Sequence, residues 1–148
     1  LEFTDAAGAA GVFKNDGDGN VSLFRVENDS QIERILAAFV LGFRERIQRR
    51  ACVIVDESHL KSIAHKLNNS ELGKTPDSIV NSWHWNLLRP NQKESFEVAF
   101  AFGKFGVIKE FSIDQLLEHA FKSIESGNIT TKNLTPLMQS YLAKKKPQ

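Results

Sequence analysis

The sequence predicts an α+β fold: one domain, with a small mixed sheet of about four strands packed against about five helices. Three observations carry this expectation. Residues 21–26 (VSLFRV) and 95–102 (SFEVAFAF) alternate along the chain, the period-two mark of a strand. Ile32, Ile35, Leu36, Phe39, Val40, Phe43 and Ile47 recur at helical spacing. The two patterns interleave with no internal repeat, low-complexity block or linker between them.

Taken in order, residues 1–19 are small and rich in Gly and Ala, and lead into a turn at Asp16-Gly17-Asp18-Gly19-Asn20. Read as a calcium loop aligned on Gly19, that turn places Lys14 and Arg25 at the first and last ligand positions, where two cations would repel the ion. A tight turn is the better reading, because Asp-Gly and Gly-Asn reach positive φ cheaply. After the first strand, Asn28-Asp29-Ser30 supplies a helix cap, and the long helix runs from Asp29 to Arg50 with its apolar stripe on the sheet. Residues 51–55 (ACVIV) form the next strand, which makes a βαβ unit with a right-handed crossover.

Leu60, Ile63, Ala64 and Leu67 mark a second helix. Thr75-Pro76 opens a third, carried by Ile79, Val80, Trp83 and Leu87 and stopped before Pro90. Residues 95–102 form a strand that turns at 103–106 into an antiparallel partner at 107–111. Ser112-x-x-Gln115 is a capping box for a helix through Ile113, Leu116, Leu117, Ala120, Phe121 and Ile124, ended by Gly127. Thr135-Pro136 starts a last helix with Leu137, Met138, Tyr141 and Leu142 on one side.

A chain of 148 residues can bury a core without staples. A net charge of +1 announces neither a nucleic-acid nor a membrane partner. Cys52 is the only cysteine, so no internal disulfide forms, and a reducing cytoplasmic setting is the simplest expectation. No apolar run approaches a membrane span, and no leader pattern precedes the first strand. The Asn-x-Ser/Thr triplets are read as turn and cap residues. The chain begins at Leu1, as expected of a domain cut from a longer protein.

The stretch with the most chemistry is Asp56-Glu57-Ser58-His59, directly after the apolar Val53-Ile54-Val55. Locally it resembles motif II of DEAD/DEAH-type helicases. That resemblance implies an Asp holding magnesium and a Glu polarising the attacking water. It covers nine residues. A phosphate-binding loop should precede the acids, yet the only candidate, Gly73-Lys74-Thr75, follows them and has Asn68 where the loop's first glycine belongs. The alternative for this stretch is a helix cap, with the acids at the helix's positive end. No cofactor is expected. None of the four histidines shares a metal spacing with Cys52, and no His-Glu-x-x-His motif occurs.

Three functions follow from different residues. The first is a non-catalytic binding domain for a protein partner or for the rest of a parent chain. It would use Trp85 as an exposed anchor, because Trp83 and Trp85 cannot face one core from a regular helix. The second is a nucleic-acid-binding module using Arg44, Arg46, Arg49 and Arg50, against which stands the ordinary preference of cations for a helix's last turn. The third is a small hydrolase with Asp56, Glu57 and His59 as its acid–histidine site. The absence of any motif with matching context favours the first.

Overall fold

The computed structural model describes residues 19–44, 46–69 and 74–145. The Gly/Ala-rich start, most of the 16–20 turn and Gly73 of the candidate phosphate loop lie outside them. Gly19 itself has φ 75°, a backbone state that suits glycine in a tight turn. The elements are β1 (Val21–Phe24), α1 (Asp29–Phe43), β2 (Arg50–Ile54), a 3₁₀ helix (Glu57–Lys66), β3 (Leu67–Asn69), α2 (Ser78–Ser82), β4 (His84–Leu87), α3 (Gln92–Phe105), β5 (Val107–Phe111), α4 (Ile113–Glu125), a 3₁₀ turn (Thr131–Asn133) and α5 (Pro136–Lys145).

The α+β class stands, and the strands divide between two small antiparallel sheets. One has the order β1-β4-β3, and the other joins β2 to β5. β1 and β2 therefore belong to different sheets, and no βαβ crossover forms. The chain condenses into two compact units. The first holds the described residues up to 24 with 51–69 and 85–109, and the second holds 25–50, 74–84 and 110–145.

In the first unit β3 pairs with β4 in the register Leu67↔Leu87, Asn68↔Asn86, Asn69↔Trp85. The core is Val21, Leu60, Ile63, Leu87, Val98 and Ala101, with Leu23, Val55, Leu67 and Phe102 packed around it. Leu60 and Ile63 are three residues apart, the repeat of a 3₁₀ helix, so both reach the core from Glu57–Lys66. Two side-chain links join this helix to α3. Lys66 pairs with Glu94 at 2.6 Å, and the Ser62 hydroxyl donates to Glu97 at 2.8 Å.

Residues 95–102 are helical, not a strand. Ser95, Val98 and Ala99, all buried, lie on one helical face with half-buried Phe102, a pattern that the eight-residue alternation also accommodates. The capping box decides between them. The Asn91 side chain accepts from Glu94 N at 2.9 Å, and the Glu94 carboxylate accepts from Asn91 N at 2.8 Å. The helix ends at Gly106, where a Cβ would lie 2.5 Å from Val53 Cγ1 and 2.2 Å from the Phe102 carbonyl oxygen. Only glycine fits that approach.

In the second unit α1 packs against α4 and α2. Ile32, Ile35, Ala37, Ala38, Val40 and Leu41 of α1 are buried, as are Val80, Leu116, Ala120, Ile129, Leu134, Met138 and Leu142. Gly42 lets α1 meet the turn before α2, since a Cβ there would stand 2.6 Å from Pro76 Cδ. Asp77 is fully buried. It caps α2 through Ile79 N (3.0 Å) and Val80 N (3.3 Å), and it takes both Nε and Nη2 of Arg34 at 2.7 and 3.0 Å. The box predicted at Ser112 and Gln115 caps α4 as expected.

Three expectations change here. α1 stops at Phe43, and Arg44 is already extended. Ile47 is 2% exposed, but it is buried from an irregular segment, so the apolar spacing continues past the end of the helix. Phe39 is 40% exposed and not core. α2 is only Ser78–Ser82, and Trp83, at φ −90° and ψ 0°, turns the chain directly into β4.

Candidate functional site

The strand β2 runs through Val55 into Asp56, which has extended backbone and caps the 3₁₀ helix. Its carboxylate accepts from Ser58 N at 2.8 Å. Hydrogen bonds from Ser58 hold this carboxyl below its ordinary range, helped by the nearby His59 and Lys61. Glu57 and His59 sit in the first turn and are exposed. The His59 imidazole lies flat on the Phe105 ring, with centroids 3.9 Å apart and an interplanar angle of 4°. Asp56 and His59 are thus near each other but turned to different partners: one serves the helix end, the other an aromatic ring. Among the described residues no group of three His, Cys, Asp or Glu side chains is placed to hold a metal ion.

The four arginines do not share a helix, because α1 ends before them. Arg49 pairs with Glu110 at 3.3 Å on an exposed surface. Arg46 is exposed. Arg44 and Arg50 line a concavity of about 390 Å³ together with Leu36, Phe39 and Val40. The last turn of α1 holds no basic residue and Arg44 is its C-cap, so the helix dipole does not account for the placement of Arg46, Arg49 and Arg50.

Trp85 stands in β4, the central strand of its sheet, opposite Asn69, and is half-buried. Trp83 is also half-buried, with the Arg34 guanidinium 5.8 Å from its ring centroid. The helical geometry that set the two rings apart does not apply, since they flank the start of a strand.

The exposed aromatic surface of the first unit lies elsewhere. Phe100 and Phe105 of α3 are 44% and 41% exposed. Their rings meet edge to face at 6.3 Å, and Phe96 continues the row with its centroid 6.1 Å from Phe100. Lys104 Nζ sits 5.1 Å from the Phe100 centroid and 5.4 Å from that of Phe105, within cation–π range. The His59 ring closes the far end. In β5, after Gly106, Val107 and Ile108 are 59% and 68% exposed. Sequence reasoning missed this row because residues 95–102 read as a strand, which hides the i, i+4 relation of Phe96 and Phe100. The Asn91-x-x-Glu94 box was the available signal.

No family model, curated protein or solved structure matches this chain. The site must be judged on its own chemistry. Among the described residues no helix is long and apolar enough to cross a membrane.

Proposed function

We propose that this chain is a non-catalytic interaction domain that docks a protein partner on the aromatic row of α3. The observation that carries the reading is the set of rings from His59, Phe96, Phe100 and Phe105, assembled at the surface around Lys104. Exposed aromatics in contact with one another are costly to leave in water and supply the central contacts of protein interfaces. The rings hold each other in place, so little side-chain entropy is lost on binding. Lys104 adds a charge that favours an acidic group on the partner beside its apolar residues.

A nucleic-acid strand is the weaker occupant. Stacking platforms of that kind work together with a basic groove that follows the phosphates. Here Lys66 is tied to Glu94, and Lys93 lies 4.0 Å from Glu97. An acid–histidine hydrolase is weaker still, because Asp56 is engaged in capping and His59 is stacked. The anchor assigned from sequence to Trp85 moves to Phe100 and Phe105, whose rings are the more open.

The test is a peptide display library panned against the full chain, with the enriched peptides then measured by calorimetry. The expected peptides combine apolar and acidic residues. Phe105→Ser and Phe100→Ser should each weaken them by about tenfold or more, and Lys104→Glu should weaken those carrying an acid. Peptides that bind all three variants as they bind the wild type would overturn the proposal.

A further inference from the structure

The second unit holds an apolar opening of a different kind. The segment from Leu36 to Phe43 (LAAFVLGF) has no polar side chain, so α1 is apolar on both sides there. One side is closed, with Ala37, Ala38 and Leu41 at 0% exposure. On the other side Leu36 and Phe39 are open above the buried Val40, and with Arg44 and Arg50 they line the 390 Å³ concavity. Neither guanidinium has an ion-pair partner among the described residues, whereas Arg34 and Arg49 of the same unit each have a carboxylate. Two guanidiniums with no carboxylate partner among the described residues, beside an apolar floor, suit an anion with an apolar body.

We infer that this concavity binds a small amphipathic anion, a carboxylate carried on a short aliphatic chain, with the chain on Leu36 and Phe39 and the head group between Arg44 and Arg50. Size selects this occupant over a protein. The volume falls in the range of small-molecule sites. A stable protein interface needs about 800 Å² from each side, more than the five described lining residues provide. Charge selects an anion over a neutral lipid, and guanidinium geometry suits a carboxylate's two oxygens. The site is independent of the aromatic row on α3, since all its residues belong to the second unit.

The test uses the full chain and calorimetry with three probes: octanoate below its micellar concentration, octan-1-ol and acetate. Octanoate should bind saturably at one site. Octan-1-ol lacks the head group and acetate the chain, so each should bind about tenfold more weakly or not at all. Arg44→Glu and Arg50→Glu should each weaken octanoate by about tenfold while leaving octan-1-ol unchanged. Phe39→Asp, at a position open enough to keep the fold, should abolish octanoate binding, and Phe105→Ser should leave it intact. Circular dichroism confirms that each variant is folded. Octanoate that fails to saturate, that binds no better than octan-1-ol, or that binds both Arg variants like the wild type would overturn the inference.

Discussion

α1 and α3 each carry more apolar side chains than one face can bury, and they dispose of the surplus differently. On α3 the extra groups are Phe96, Phe100 and Phe105, which touch one another along the helix and are joined by His59. On α1 they are Leu36 and Phe39, which sit in a hollow walled by Arg44 and Arg50. A ridge of rings offers area, and an extended partner is needed to cover it. A hollow with a charged wall offers enclosure, and a small molecule can fill it. Excess hydrophobicity therefore does not by itself specify a partner; the curvature and charge around it do.

The sharpest way to break this comparison is to loosen α1. Asp77 is fully buried, takes two hydrogen bonds from Arg34 and caps α2. Asp77→Ala strands the Arg34 guanidinium and removes the cap, and should cost about 3–5 kcal/mol in chemical denaturation. A loss no larger than that of a surface substitution would mean that the pair does not hold α1 in place.

Next comes the contrast between the two sides of α1. Leu41 is fully buried, and Leu41→Ala should cost about 2–5 kcal/mol. Phe39→Ala removes a ring that is 40% exposed and should cost roughly 1 kcal/mol. Equal losses in urea denaturation would close the proposed hollow. On α3, Asn91→Ala removes one half of the capping box and should cost about 1 kcal/mol, also read by denaturation. The neighbouring Phe100 and Phe105 should keep their partner affinity if the helix frays only at its start.

The smallest effect is on pH dependence. A hydrogen bond from Lys66, together with the Asn91 backbone N–H, holds the Glu94 carboxyl below its ordinary 4.5. A carboxyl lowered in the folded state contributes stability that is full above the unfolded value and is lost as pH falls through the folded one. Stability should therefore decline below pH 4.5 in part through Glu94, and Glu94→Gln should flatten that decline in a series of denaturation curves. Salt should weaken the effect, because Lys66 is a third exposed.

How much of this was legible in the sequence depended on whether a local signal was unique. Ser112 and Gln115 could only be a capping box, and α4 follows from it. Asp56 before a polar turn read as a cap and serves as one. SFEVAFAF fitted two periods at once, since small residues at Ala99 and Ala101 satisfy both a strand face and a close helix contact. The capping box decided, and its residues, Asn91 and Glu94, lay outside the alternating stretch. The end of α1 was hidden by Ile47, which is buried without being helical. That error placed Arg46, Arg49 and Arg50 on a helix and obscured the relation of Arg44 and Arg50 to Phe39. Trp85 was placed on a helix by a similar step: a strand was read as the continuation of a helix.

The helix at Glu57–Lys66 is a 3₁₀ helix ten residues long, well beyond the three or four over which that geometry is usually sustained. Its amide hydrogen bonds have poorer geometry than those of an α-helix, and most of its side chains face solvent. Its first turn, residues 57–59, is exposed and precedes the buried Leu60 and Ile63, so it is the part of this helix that opens locally at the least cost, below the level of global unfolding. In deuterium its amides should exchange ahead of those of α3, and each opening lifts His59 from Phe105. The aromatic row would then alternate between a covered and an uncovered ring at its end, and a partner that needs Phe105 bare would gain affinity from every change that weakens this one helix.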